Sequence, residues 1–140
     1  MQTFLPYPDF RASLECLDYR RLGKQRVEAR TILNILEGRT AGRGWRNHPA
    51  VLMWRGYESA LRLYLNLSIA EWTGRGFRNQ MLPEPVDPTS VIPPWWLGRE
   101  EFHASHRSAL LRKAPEHYGR FGWLEAPDLP YWWPTKHLPA

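Results

Sequence analysis

Residues 18–38 read DYRRLGKQRVEARTILNILEG, and this stretch decides the fold prediction. Its apolar residues recur at three- and four-residue spacing, which places them on one face of an α-helix. They are Leu22, Ala29, Ile32, Leu33 and Leu36. Asp18 stands where a side chain can cap the first turn, and Gly38 stands where a helix can end. The pattern predicts a helix that buries this face against the rest of the chain.

The segments on either side of this helix are predicted to be helical or irregular. Prolines should hold residues 1–8 extended, and a short helix is predicted over residues 9–17. Residues 39–48 are rich in Gly and Arg and are predicted to form a loop. A long helix should begin at Pro49, which the first turn of a helix tolerates, and should stop near Gly74.

The C-terminal half combines a proline-rich stretch, one helix and an aromatic tail. Five prolines exclude regular helix from residues 82–96, so a tethered surface loop is expected there, followed by a helix over residues 98–113. Residues 117–134 hold six large aromatic side chains, which should wrap across the body of the protein. The predicted fold class is all-α. We expect a compact single-domain helical bundle over residues 1–140, with an extended N-terminus, a Pro-rich loop and an aromatic C-terminal tail.

Composition limits the classes of function. A chain of 140 residues is the size of one domain, and its 19 Lys and Arg against 14 Asp and Glu give a formal net charge of +5. Such a balance is typical of a protein that binds a polyanion, or of one with a solvated basic surface. No apolar run is long enough for a membrane span, and Asp9 and Arg11 interrupt any signal-peptide core. With Cys16 as the single cysteine, no internal disulfide can form, and the cytoplasm is the expected compartment.

Glu28 is the first candidate for chemistry. It lies at the margin of the apolar stripe of the helix, one turn after Lys24 and two turns after Arg21. One interpretation is an ordinary four-residue salt bridge to Lys24. The other is a half-buried general acid or base on a helix that Arg20, Arg21, Lys24, Arg26 and Arg30 make strongly basic.

A second constellation is the segment WRNHP at residues 45–49, which brings an imidazole and a basic group to a helix start. Helix starts attract anions, so His48 either binds an anionic ligand or caps the helix. His103 and His106, three residues apart, could share a metal ion, although no cysteine pair or H-E-x-x-H pattern accompanies them. Cys16 has no activating neighbour and is expected to be an inert buried thiol. P-loop, G-x-G-x-x-G and G-x-S-x-G signatures are all absent.

Four stretches of the chain resemble, in the same order, the pyrimidine-dimer DNA glycosylase family, the phage endonuclease V type of repair enzyme and its bacterial relatives. They read DYRRLGKQRVE (residues 18–28), GWRNHP (44–49), GRGF (74–77) and LLRKAPEHY (110–118). The resemblance covers most of the chain and places Glu28 on the family's catalytic glutamate. Arg21 falls at or beside a DNA-contacting position. The chain is thus similar to a divergent, bacterial-type member.

The resemblance implies an all-helical, cofactor-independent enzyme that binds duplex DNA and cuts a glycosidic bond, with or without a following strand break as an AP lyase. Its nucleophile would be the α-amine of Met1, which forms a Schiff base, and Glu28 would be the acid/base. An α-amine with a pKa of about 8 keeps a useful neutral fraction near pH 7, unlike an ordinary lysine. The residues expected to contact DNA are Gln2, Arg20, Arg21, Lys24, Arg26, Arg46, His48, Arg107, Arg112, Lys113 and Tyr118. A monomer is expected, cytoplasmic and associated with the nucleoid when bound to DNA, with no membrane partner.

Departures from the family pattern leave the substrate open. Gln2 is bulky and should hinder removal of the initiator methionine, so that Met1 itself would supply the amine. Val27 stands where the family commonly has arginine, and about six residues are inserted before Asp18, so that the excised base is a pyrimidine dimer or another damaged or modified base. Two other functions stay open: a non-catalytic nucleic-acid-binding module, and a metal-dependent hydrolase built on His103 and His106.

Overall fold

Helices form the framework of the molecule. The computed structural model describes residues 1–40 and 44–138, so residues 41–43 of the predicted loop 39–48 lie outside the described residues. The helices within the described ranges are α1 (Phe10–Glu15), α2 (Tyr19–Leu36), α3 (Pro49–Leu52), α4 (Glu58–Gly74), α5 (Glu100–Lys113) and α6 (Pro115–Tyr118). These ranges contain no strand, which confirms the all-α prediction. None of their helices is both long enough and apolar enough to cross a membrane.

The packing of α2 against α4 is the most extensive helix–helix contact in the described chain. The predicted apolar face of α2 is confirmed, since Leu22, Ala29, Ile32 and Leu33 have no exposed surface. The two helices come close at Gly23, where an added Cβ would stand 3.0 Å from the ring of Trp72. Glycine at this position therefore lets the α4 tryptophan reach the backbone of α2.

The prediction of one long helix from Pro49 to Gly74 is wrong, because the chain leaves helical geometry between α3 and α4. Gly56 has a φ of +88°, in the left-handed region that favours glycine, and its N–H donates to a Glu58 carboxylate oxygen at 3.1 Å. The break brings Trp54 fully into the core. There its indole N–H donates to the Thr3 hydroxyl at 3.0 Å.

A side chain caps the start of α1, but the cap predicted for α2 is not formed. Asp9 caps α1 by accepting from the Ala12 N–H at 2.8 Å. Asp18 occupies the equivalent position before α2, but its side chain makes no capping bond. Its carboxylate instead accepts from the Tyr118 hydroxyl and from Arg21, which lowers its pKa against the opposing effect of burial. Asp18 therefore links the start of α2 to Tyr118 of α6 instead of capping α2.

The proline-rich segment is a tethered loop, as predicted. Residues 82–96 contain no regular helix beyond a single 3-10 turn at Pro88–Ser90. Glu84 anchors the segment to the body, since its buried carboxylate accepts from both Arg30 and Arg39. The side chain of Asn66 on α4 bonds the N–H and the C=O of the same glutamate, at 2.8 and 2.7 Å.

The aromatic tail packs on the body, which also agrees with the prediction. Tyr118 is fully buried and stacks on Trp123 at a centroid distance of 5.6 Å. Tyr131, Trp132 and Trp133 are half-buried against the core. The indole N–H of Trp123 donates to the Tyr7 hydroxyl at 2.9 Å, which joins the tail to the N-terminal part of the chain.

The N-terminal segment, residues 1–5, is extended and runs through the protein interior. Gln25 of α2 is only 1% exposed and bonds this segment twice. Its side-chain oxygen accepts from the Phe4 N–H at 2.8 Å, and its amide nitrogen donates to the Gln2 C=O at 3.2 Å. The hydroxyl of Tyr64 on α4 lies 2.9 Å from the Phe4 C=O, which accepts from it. The segment is thus held by side chains rather than by a neighbouring strand.

Two buried histidines of α5 hold the next residue of the segment. The Leu5 N–H donates to Nδ1 of His106 at 2.9 Å, and the Leu5 C=O lies 2.7 Å from Nδ1 of His103. Nε2 of His103 accepts from the Gly98 N–H at 2.9 Å, so Nδ1 of this ring carries the proton. Burial lowers the pKa of both imidazoles, and that of His106 to about 3. Both rings are therefore neutral at neutral pH.

The neutral state of His106 should make the free energy of unfolding depend on pH. In the unfolded chain this imidazole binds a proton below about pH 6.5, whereas in the folded protein it stays neutral down to about pH 3. Above about pH 6.5 this imidazole therefore does not reduce the free energy of unfolding. As the pH is lowered below about 6.5, the free energy of unfolding decreases by up to about 1.4 kcal/mol per pH unit because of this one group. In His106→Asn, whose amide oxygen can still accept from Leu5, urea unfolding between pH 4 and 7 should show a shallower pH dependence.

The exposed His137 provides the matched control. His137→Asn should keep the pH dependence of the unmodified protein. Equal slopes in His106→Asn and the unmodified protein would contradict the neutral, hydrogen-bonded role of His106.

Candidate active site

The first residues of the chain line a cleft of about 730 Å³. The N-terminal segment forms one wall, the first half of α2 forms another, and the end of α5 and the aromatic tail complete it. The lining residues are Met1, Gln2, Phe4, Arg20, Arg21, Lys24, Gln25, Glu28, Lys113 and Tyr131. The described structure therefore brings together Met1 and Glu28 with five of the residues predicted to contact DNA.

The charge of the cleft is strongly positive. Arg20, Arg21, Lys24 and Lys113 line it, and Glu28 is the one carboxylate among the lining residues. Arg21 is paired with Asp18, which does not line the cleft. Arg20, Lys24 and Lys113 are exposed, so their charges are free to meet an anionic ligand in water. Such a rim suits the phosphates of a nucleic-acid backbone, which lysine and arginine neutralise on binding.

Glu28 is half-buried and has no ionic partner within the described ranges. The predicted alternative of an ordinary salt bridge to Lys24 is not formed, since no N–O distance between them is within 4.0 Å. α2 places this carboxylate one turn beyond Lys24 and faces it into the cleft. It is therefore available to exchange protons with a bound molecule.

His48 is the N-cap of α3, as one of the two predictions for it proposed. Its Nδ1 accepts from the Ala50 N–H at 3.0 Å, which leaves the proton of the neutral ring on Nε2. Burial lowers the pKa of His48, the Met1 ammonium lowers it further, and the Glu28 carboxylate raises it. The N-terminus and Glu28 therefore both lie close enough to this imidazole to act on it electrostatically. Its ring packs edge-on against Trp133 of the tail, at a centroid distance of 5.9 Å.

Several other residues predicted to contact DNA lie outside this cleft. Arg26 stacks over the Trp72 ring, 4.5 Å from its centroid, and donates to Asn79 at 2.6 Å. Arg107 pairs with Glu100 and Glu125 and donates to the Pro6 C=O.

Three further residues of the prediction also stand apart from the cleft. Tyr118 has no exposed surface and donates to Asp18. Arg112 is exposed and donates to the Pro127 C=O at 2.8 Å. Arg46 is exposed in the loop before α3 and does not line the cleft.

The cleft also contains residues that the sequence did not single out: Phe4, Gln25 and Tyr131. For Gln25 a signal was available, because it follows Leu22 by three residues and thus lies on the apolar face of α2. A glutamine on such a face indicates a buried amide with a specific partner. Tyr131 comes from the tail, and its position depends on how the tail folds back.

Hydrogen bonding, rather than metal binding, accounts for the pair His103 and His106. Three of their ring nitrogens bond the backbone of Leu5 and Gly98. The described part of the chain holds no group of three or more side chains arranged to bind a metal ion. Burial raises the pKa of the Cys16 thiol to about 12, which keeps it protonated and agrees with the prediction of an inert thiol.

Comparison with known proteins gives one match. No curated protein and no solved structure matches the chain significantly. The family model described as pyrimidine dimer DNA glycosylase matches residues 1–84, a range that includes the N-terminal segment, Glu28 and His48. Because the match spans more than half of the 140 residues, the chain belongs to the pyrimidine dimer DNA glycosylase family.

Proposed function

We propose that this protein is a DNA base-excision glycosylase with AP-lyase activity, in which the α-amine of Met1 is the nucleophile and Glu28 the acid/base. Membership of the family implies pyrimidine dimer DNA glycosylase activity and a DNA substrate. The observation that carries the mechanism is the cleft itself. It holds the chain's first residue and an unpaired, half-buried carboxylate beneath a rim of cations.

The first step is attack of the neutral Met1 amine on C1′ of the deoxyribose. The C1′–N bond of the nucleotide breaks, its electron pair leaves with the base, and the departing base takes up a proton. O4′ then takes a proton as the sugar ring opens, which leaves a Schiff base between C1′ and the amine. Glu28 lines the same cleft and can move the protons of both steps.

Strand cleavage can follow from the same intermediate. Removal of a proton from C2′ lets the 3′ phosphate leave by elimination, and hydrolysis of the Schiff base returns the amine. Glu28 is again the one carboxylate among the cleft residues that can accept the C2′ proton. No cofactor is needed, because the amine supplies the electrophilic carbon–nitrogen bond that makes the C2′ proton acidic.

The rim has a separate role, which is to hold the DNA. Arg20, Lys24 and Lys113 line the same cleft as Met1 and would bind phosphates on either side of the target nucleotide. Arg21 lines the cleft as well but is paired with Asp18. Base chemistry within a duplex requires a nucleotide to leave the stack. His48 and the 48% exposed Trp45 beside it would contact DNA at the edge of the site.

Borohydride trapping on duplex DNA with an abasic site tests the amine chemistry. The unmodified protein should form a covalent adduct, since reduction converts the Schiff base into a stable amine. Extending the chain at its N-terminus should abolish the adduct, and Glu28→Gln should slow its formation by about 100-fold or more, the usual range for loss of an acid/base group. Both altered proteins should still bind the duplex.

Glu101→Gln, an exposed glutamate on α5 away from the cleft, is the matched control and should trap as the unmodified protein does. An adduct that survives N-terminal extension would assign the chemistry to another amine. DNA binding without any adduct or base release would instead favour the non-catalytic binding module.

The salt dependence of DNA binding tests the rim. Each phosphate contact contributes about 0.9 to the slope of log K against log salt concentration. Lys24→Ala should therefore weaken binding and reduce the slope by about 1, measured by fluorescence anisotropy across a salt series. Lys136→Ala, an exposed lysine in the 3-10 turn of the tail, should leave the slope unchanged. Identical slopes for both variants would contradict the assignment of Lys24 to the DNA interface.

A further inference from the structure

The side chain of Gln2 has one hydrogen-bonding group that the folded protein leaves unused. Its oxygen accepts from the Thr3 N–H at 3.0 Å. Its amide nitrogen is buried and has no hydrogen-bond partner among the described residues, although Gln2 as a whole is only 8% exposed. Buried polar groups are nearly always paired in folded proteins, so an unpaired donor needs an explanation.

The position of this donor points to a ligand. Gln2 lines the cleft together with Met1 and Tyr131. Burial raises the pKa of the Tyr131 hydroxyl, and the charge of Arg112 and hydrogen bonding to the Gln2 side chain lower it. Tyr131 is therefore the neighbour of the Gln2 amide, whose nitrogen does not reach full hydrogen-bond geometry with any described residue. Phe4, which is almost fully buried, lies on the same wall. The donor therefore sits among aromatic side chains, at the base of a cleft whose cations are at the rim.

This separation of charge matches the parts of a nucleotide. Phosphates carry the negative charge and suit the exposed rim. A neutral donor between apolar rings suits the planar edge of a base, which presents neutral carbonyl acceptors.

The identity of the acceptor follows from the adjacency of Gln2 and Met1. The Met1 amine must reach C1′, and C1′ is bonded to N1 of a pyrimidine. O2 is the carbonyl oxygen on the ring carbon next to N1, and is thus the base acceptor close to the point of attack. A residue directly after the nucleophile is placed to reach it.

We propose that the Gln2 amide nitrogen donates a hydrogen bond to O2 of the target pyrimidine, and so recognises the base and stabilises it as it leaves. The proposal rests on the proposed function of the cleft and adds a residue that contacts the base. When the C1′–N1 bond breaks, its electron pair passes to the base and part of the negative charge collects on O2. A fixed donor at that oxygen favours the transition state over the bound substrate.

The test compares a substrate that has the base with one that lacks it. Gln2→Met removes the donor at similar size, and Gln2→Glu removes it while retaining an oxygen for the Thr3 N–H. Both residues are bulky, so neither alters the expected retention of Met1. On a duplex with a cyclobutane pyrimidine dimer, single-turnover cleavage of the C1′–N1 bond should fall about tenfold or more in both variants. It is followed as alkali-sensitive strand breakage, because the cleaved pyrimidine stays joined to its neighbour. On an abasic duplex, borohydride trapping should stay within about twofold of the unmodified protein.

Gln80→Met, a replacement at an exposed glutamine outside the cleft, is the control and should change neither rate. Equal losses on dimer and abasic DNA would overturn the proposal, because they would show that Gln2 only positions the N-terminus. An unchanged rate of C1′–N1 cleavage on the dimer duplex would overturn it as well.

A binding measurement tests base recognition by Gln2 independently of the amine mechanism. If the unmodified protein forms no adduct and cleaves no glycosidic bond, the amine mechanism fails. Affinities for the dimer duplex and for a tetrahydrofuran-containing duplex then decide the role of Gln2. A preference for the dimer that disappears in both Gln2 variants would support base recognition. No preference in the unmodified protein, or one that both variants retain, would overturn it.

Discussion

The structure depends on the way in which side chains satisfy the backbone of residues 2–5. This segment is extended and buried, yet it has no partner strand among the described residues, so its N–H and C=O groups need other partners. Gln25, Tyr64, His103 and His106 provide them from three different helices. Because an unpaired buried amide or carbonyl is costly, each of these bonds fixes the segment relative to the helix that supplies it. The chain's first residue therefore has a defined place at the cleft wall, although termini are usually mobile.

The same arrangement explains why α2 serves both the core and the site. Its apolar face packs on α4, while Gln25 on that face holds the N-terminal segment. Glu28 follows Gln25 by three residues, so the two side chains are neighbours on the helix surface, and both line the cleft. A rigid helix thus carries the carboxylate and, through one amide, the residue that bears the amine. Sites built on helices hold their geometry more precisely than sites on loops, which suits the proposed reaction, in which an amine and a carboxylate act together.

The sequence predicted those features that local pattern determines. The apolar spacing of α2, the proline at the start of α3 and the prolines of residues 82–96 each act on the backbone nearby, and the structure agrees with all three. The break at Gly56 was missed because the apolar period continues across it, and a single glycine within a helical pattern is tolerated. Hydrogen bonds between residues far apart in the sequence could not be predicted from the pattern either. Nothing in the spacing of His103 and His106 indicates that their partner is Leu5, about a hundred residues earlier.

The distribution of charge shows why a net charge of +5 is a poor guide to an interface by itself. Arg30 and Arg39 share the buried carboxylate of Glu84, and Arg107 pairs with two glutamates. These cations therefore form ion pairs within the fold. Paired cations release no counterions from DNA when they stay in their pairs, and they add little to affinity. Lys24 differs because the nearest carboxylate along its helix face, that of Glu28, does not pair with it. In the function that we propose, keeping this lysine and this glutamate apart leaves Lys24 free for phosphate and Glu28 free for proton transfer. The absence of an ordinary helix salt bridge is then what suits this face of α2 to the proposed chemistry.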